Sequence, residues 1–199
     1  MCGFYFILRN GQCCCDLTYL TDRLKEALYH RGPDAQDIYE VNAGNFRLSF
    51  YATLLWLRGS EPFQQPAKKN GTVLLWNGDI YDVSLPENMS DTEYILNNLE
   101  HSSQSHDVIE FMKCLKGPGS WVFFHPSLNS IWFGRDVFGR HSLLQEKTPC
   151  HLILSSVGIQ GSNLIEVPAN GIFQIELNES EEKSKQTNLK FSLKESTKY

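Results

Sequence analysis

The apolar runs of this chain are strand-sized, and turns keep interrupting them. Phe4–Leu8 and Val73–Trp76 are among the longest, far short of the roughly 20 apolar residues that a membrane-spanning helix needs. Asn10-Gly11, Asn70-Gly71, Asn77-Gly78, Pro126…Asn129 and Asn170-Gly171 punctuate the intervals, and Gly, Asn and Pro each favour the backbone angles of tight turns. The segments between them, rich in β-branched and aromatic residues, are predicted strands: Gly3–Leu8, Asp37–Val41, Arg47–Leu57, Thr72–Trp76, Trp121–His125, Ile131–Gly134, Leu143–Gln145, His151–Ser155 and Gly171–Leu177.

Three stretches carry the helical period instead. Leu17, Leu20, Leu24 and Leu28 recur at spacings of three and four, which predicts a helix over about Thr18–His30 stopped by Gly32-Pro33. Ser90-Asp91-Thr92-Glu93 has the form of a capping box, in which the Ser and Glu side chains satisfy free backbone donors, and it opens a helix to about Glu100. Val108, Phe111, Met112 and Leu115 share one face of a third, about Asp107–Leu115, ended by Gly117-Pro118-Gly119. Strands in runs with two helices grouped in the middle indicate an α+β layered domain rather than alternating βαβ units. After Leu177 the chain turns polar and lysine-rich, and Asn178–Tyr199 is expected to be a tail or linker with no core of its own.

Composition narrows the function classes. The chain has 199 residues, 41% of them hydrophobic, with 18 Lys+Arg against 23 Asp+Glu and a net charge of −5. That is enough to bury one core, and the charge balance has no basic stripe of the kind a nucleic-acid binder needs. No charge precedes the apolar Cys2–Leu8 stretch and Arg9-Asn10-Gly11 follows it directly, so it reads as a buried strand ending in a turn rather than a secretory signal. The six cysteines, Cys2, Cys13, Cys14, Cys15, Cys114 and Cys150, are accordingly expected to be reduced thiols in the cytoplasm. Three in a row do not supply the C-x-x-C grip of structural zinc and no second pair complements them, so no metal site is expected.

Cys2 carries the most chemical promise. Removal of Met1 would leave one residue bearing both a thiol, with an ordinary pKa of about 8.5, and an α-amine, with one of about 7.7–8.0. Such an amine is a usable base near neutrality, so nucleophile and base would reside together. A second-position Cys on a strand is more often a small core residue, and its company decides the matter. Met1-Cys2-Gly3, Arg31-Gly32-Pro33-Asp34, Trp76-Asn77-Gly78-Asp79-Ile80-Tyr81, Ser90-Asp91-Thr92-Glu93 and Gly134-Arg135-Asp136-Val137-Phe138-Gly139-Arg140 occur in this order, with Leu57-Arg58-Gly59 and Leu154-Ser155-Ser156-Val157-Gly158 beside them.

This set resembles the glutaminase domain of class II glutamine amidotransferases, the N-terminal-nucleophile group that includes asparagine synthetases, in which the matching stretches read roughly MCG, RGPD, NGEIYN, TDTE and RDPFG. The resemblance covers residues 2–177 and implies a four-layer αββα sandwich. It implies that Cys2 attacks the side-chain amide of L-glutamine to release ammonia for asparagine synthesis. The Asn77 side chain and the Gly78 N–H would hold the oxyanion, and Asp91 and Asp79 would hold the α-ammonium group. Arg31–Asp34 and Arg135…Arg140 are assigned structural turns, the latter with a buried ion pair, and His30, His125 and His141 local hydrogen bonding.

Two departures from the family pattern stand out. Asp79 replaces a glutamate, one methylene shorter. Leu54 stands where the family's arginine grips the α-carboxylate, and Arg58, four residues on, is the remaining candidate for that role. ATP and Mg belong to the family's synthetase domain, for which residues 2–177 leave no room, so the acceptor step is expected from a synthetase domain or protein acting in trans. A weak or inactive relative acting as a binding or regulatory module stays open as the alternative.

Overall fold

The computed structural model describes residues 2–11, 13–56, 61–81, 85–86 and 88–177, together with the backbone of 193–198. Its strands are β1 (Gly3–Asn10), β2 (Ala35–Ala43), β3 (Phe46–Leu54), β4 (Ala67–Lys69), β5 (Thr72–Gly78), β6 (Gly119–His125), β7 (Ser130–Arg135), β8 (Leu144–Lys147), β9 (His151–Ser155), β10 (Ile165–Glu166), β11 (Gly171–Glu176) and β12 (Leu193–Lys198). The helices are α1 (Thr18–Tyr29), α2 (Asp91–Leu99) and α3 (Ser105–Cys114). The strands form two six-stranded sheets, ordered β10-β8-β9-β1-β3-β2 and β12-β11-β7-β6-β5-β4. Neighbouring strands pair antiparallel, as in Gly3↔Thr53, Tyr5↔Ser155 and Asn77↔Ser120.

Alternation along each strand explains the layering. A strand's side chains point alternately to opposite faces, and here both faces are apolar. Phe4, Phe6 and Leu8 of β1 meet Val73, Leu75, Val122, Phe124, Ile131 and Phe133 of the other sheet in a central core. Tyr5 and Ile7 point the opposite way, onto Leu24 and Leu28 of α1. Leu74, Trp76, Trp121, Phe123 and Trp132 point away from the central core onto Ile95, Leu96, Val108 and Met112 of α2 and α3. The order is therefore α1, sheet, sheet, α2–α3, the expected αββα sandwich. The unbroken apolar runs follow from it, because a strand covered on both faces has no polar side to show. Among the described residues no helix is long and apolar enough to cross a membrane.

Local capping sets the helix starts. Ser90 accepts the Glu93 N–H at 3.1 Å through its side chain, the Ser half of the expected box, and the Asp107 carboxylate accepts the Gln104 N–H at 3.1 Å at the start of α3. Three strands were not anticipated. β4 and β10 are too short to leave a periodic signal. β12 lies inside the segment expected to be a tail, and it pairs with β11 as an edge strand, Ile175↔Leu193 through Gly171↔Lys198. Such pairing runs through backbone groups, so a polar sequence can add to a sheet edge. In the other direction, β3 ends at Leu54 rather than at Leu57.

Candidate active site

Cys2 immediately precedes β1, which lies between β3 and β9 in its sheet. The start of that strand is pinned. The Phe4 N–H donates to Ser156 Oγ at 2.9 Å and the Ser156 N–H donates back to the Phe4 carbonyl at 3.0 Å. The Ser156 carbonyl accepts from the Arg31 guanidinium at 3.0 Å and from the Ser142 hydroxyl at 2.6 Å. Gly3 leaves no room for a side chain, since a Cβ there would lie 2.6 Å from Leu28 Cδ2. The Arg31–Asp34 turn is fitted to the same strand end. A Cβ on Gly32 would stand 2.7 Å from the Leu54 nitrogen, and Asp34 holds the next stretch by donating its N–H to the Leu54 carbonyl and accepting the Trp56 N–H at 2.7 Å.

A cleft of about 90 Å³ opens there, lined in part by Cys2, Leu54, Gln65, Asn77, Asp91 and His141. Gly78 and Asp79 also line it, so five of the predicted site residues meet in one place. The sixth, Arg58, lies outside the described residues. Leu54, the residue at the expected arginine's place, forms part of the wall.

The end of β5 supplies the polar side of the cleft. Asn77 is 1% exposed, and among the described residues neither its amide nitrogen nor its oxygen has a hydrogen-bond partner. Buried amides are nearly always paired, which makes this one at the cleft wall an exception. The expected Asn77-Gly78 turn is instead the end of β5, paired with Ser120 and Gly119 of β6, and the backbone packs closely there: a Cβ on Gly78 would lie 2.3 Å from the Pro118 carbonyl oxygen, and one on Gly117, at φ +142°, would lie 2.0 Å from that of Asp79. The Asp79 N–H continues the β5–β6 pairing onto the Pro118 carbonyl at 2.9 Å. Asp91, the first residue of α2, is buried and accepts the Ile80 N–H at 2.9 Å, which ties the helix start to the stretch that follows β5. A carboxylate at a helix N-terminus is also favoured by the helix dipole.

The electrostatics around the thiol are opposed. Burial pushes the Cys2 thiol above its ordinary value, while its contact with the Leu55 carbonyl and the nearby Arg31 charge pull it down without cancelling the rise. His141, also at the cleft, is pushed below its ordinary value by burial; Asp136 and Asp79 pull it up, and Arg31 and Arg140 press it down again. The ion pair in the Arg135…Arg140 turn is Asp136 with Arg140, at 3.3 Å, and contrary to expectation it is only half buried, the Asp136 carboxylate covered and the Arg140 side chain 47% exposed. Buried Arg135 turns elsewhere, to the Val167 carbonyl at 3.3 Å and the Gly139 carbonyl.

Sequence reasoning missed Gln65. Its amide donates to the Trp76 carbonyl at 2.9 Å and accepts the Trp76 N–H at 2.7 Å, so a side chain stands in for the neighbouring strand beside Asn77. An isolated Gln before β4 carries no sequence signal for that role. Ser156 lay within a stretch carrying the resemblance, but its hold on β1 depends on strands far apart in sequence.

No family model matches the chain. Individual proteins do. Asparagine synthetase domain-containing protein 1 of Mus musculus is 35% identical over 185 residues, covering 84% of this chain and 29% of the mouse protein. The Homo sapiens counterpart is 34% identical over 182 residues, covering 82% of this chain and 28% of that protein. The chain belongs to the asparagine synthetase domain-containing protein family. It spans less than a third of the length of these relatives. Solved structures agree on the fold. The glutamine phosphoribosylpyrophosphate amidotransferase of B. subtilis superposes with a TM-score of 0.63 at 15% identity, covering 87% of this chain and 47% of that one. A structure described as the allosteric regulatory enzyme of purine biosynthesis gives 0.66 at 14% identity, with the same coverage. The chain thus shares the fold of these two enzymes.

Proposed function

We propose that this domain hydrolyses the side-chain amide of L-glutamine, with Cys2 as nucleophile. The observation that carries the reading is the buried, unpartnered Asn77 amide in the cleft that Cys2 also lines. Once Met1 is removed, the free α-amine of Cys2 takes the thiol proton, and the sulfur attacks the amide carbon. The charge developing on oxygen is met by the Asn77 Nδ2 and the Gly78 N–H, donors fixed in advance by the end of β5. The α-ammonium returns its proton to the leaving nitrogen as the C–N bond breaks, giving ammonia and a thioester. Water then hydrolyses the thioester to glutamate and restores the thiol. The raised Cys2 thiol is compatible with this route, because the adjacent base removes the proton at the moment of attack. Asp91 and Asp79 supply the negative charge that a glutamine α-ammonium needs. The ammonia acceptor, with its ATP and Mg, would be a synthetase domain or protein, and the free thiols suit a reducing cytoplasm.

One observation favours a second reading, a binding or regulatory module: apolar Leu54 in the cleft wall, where the family's arginine would meet the carboxylate. Glutaminase turnover separates the two. Met1-free protein is expected to release ammonia from millimolar glutamine, and Cys2→Ala to release none. Folded, Met1-free protein that releases no ammonia would establish the module instead.

A further inference from the structure

At the far end of β1 the chain gathers three thiols that glutamine chemistry does not use. The Sγ atoms of Cys13, Cys15 and Cys150 all lie within 4.8 Å of one another. β1 spans eight residues from Cys2, so roughly 27 Å separates this cluster from the cleft. The sequence alone gives no grip of this kind, because Cys150 is remote from the Cys13-Cys14-Cys15 run. Strand pairing creates it. Arg9 of β1 pairs with His151 of β9, which sets the turn leaving β1 beside the turn entering β9.

Both turns are fastened by backbone bonds. The Asn10 N–H donates to the Cys150 carbonyl at 3.3 Å, and the Cys13 N–H donates to the Asn10 carbonyl at 2.9 Å. The Cys150 N–H donates to Thr148 Oγ1 at 3.2 Å. Within the run, the Cys15 N–H points at Cys13 Sγ, 3.4 Å away. The cluster is thus held by the sheet from two remote segments. Cys13 and Cys150 are half-buried while Cys15 is exposed, which leaves a solvent path for an entering ion.

We propose that Cys13, Cys15 and Cys150 form a three-thiolate site for a soft d10 metal ion, zinc(II) or copper(I). Thiolate sulfur selects these ions over hard cations. Three sulfurs around one zinc at about 2.3 Å stand about 3.8 Å apart, so the observed cluster needs to close by no more than about 1 Å, within reach of side-chain rotation. Zinc takes a fourth ligand, and the open side beyond Cys15 admits water; copper(I) is satisfied by three sulfurs. Each coordinating thiol gives up its proton, so binding releases acid and strengthens with rising pH.

The test uses the full chain, reduced and stripped of metal, titrated with zinc alone against a chromogenic chelator and, separately, with copper(I) under anaerobic conditions. One equivalent is expected to bind, with Cys150→Ser and Cys13→Ser each weakening it at least tenfold and Cys114→Ser leaving it unchanged. Cobalt(II) in place of zinc should show a thiolate charge-transfer band that both ligand variants lose. Saturation by zinc and saturation by copper(I) each support the site and say which ion it prefers. Equal affinity in the wild type and in either folded ligand variant would overturn it. So would a reduced protein that binds neither ion, including the case in which intact-mass analysis of unreduced protein shows these thiols joined as a disulfide.

Discussion

Replacing Asn77 with Leu asks whether its amide is idle in the resting fold. Leu has nearly the same size and branching, so the substitution removes two polar atoms with little change in packing. Both atoms are buried and unpartnered among the described residues. A buried polar group without a partner costs about 1–3 kcal/mol. Asn77→Leu is therefore expected to stabilise the domain by about that amount. For a domain of this size 1 kcal/mol moves the melting temperature by about 2–4 °C, which gives a rise of roughly 2–12 °C in calorimetry at neutral pH. Turnover should move the opposite way, because loss of one oxyanion donor costs about 10²–10³ in kcat. A stabler, slower variant is the signature of a group kept for the transition state. A loss of stability beyond about 1 kcal/mol in Asn77→Leu would refute the argument, since it would mean that the amide has partners in the resting protein.

Leu54→Arg should strengthen glutamine binding: two charge-assisted bonds of about 1.5 kcal/mol each give about 3 kcal/mol, roughly a hundredfold fall in KM. An unchanged KM in the folded variant would show that position 54 does not face the carboxylate. The buried His141 has its pKa below the ordinary 6.5, so the unfolded chain takes up a proton before the folded one does as pH falls. Its stability contribution is present in full above about 6.5 and is lost on acidification below it; His141→Asn should flatten that loss in denaturant midpoints compared at about pH 7.5 and about pH 5.5.

Much of the fold was legible because local pattern and packing agree. Leu24 and Leu28 sit at helical spacing and both are fully buried under the sheet, so period alone located α1. The strand runs were visible because covered faces leave them apolar throughout. What stayed hidden depends on partners remote in sequence. Ala67-Lys68-Lys69 is a strand only because β5 pairs with it, and Leu193–Lys198 only because β11 presents an edge. The four-layer stacking came from the resemblance, since periodicity says that a face is covered but not by what. At the site, Asn77-Gly78 reads as any tight turn. Its distinction, a buried amide with no partner among the described residues, exists only once the sheets have folded over it. Cys150 joining Cys13 and Cys15 is invisible for the same reason.

The position of β1 also orders events during synthesis. It is translated early, yet it sits between β3 and β9, and its start is tied down by Ser156. Ribosomes add about 5–20 residues per second, so roughly 7–30 seconds pass between the emergence of β1 and that of the strand completing its pairing. Throughout that interval the beginning of β1 lacks both its β9 partner and the Ser156 clasp, and stays accessible to processing enzymes that the finished sandwich would keep at a distance. The proposed unmasking of the Cys2 amine thus has its own time slot, and a mutation that hastened the docking of β9 would shorten it.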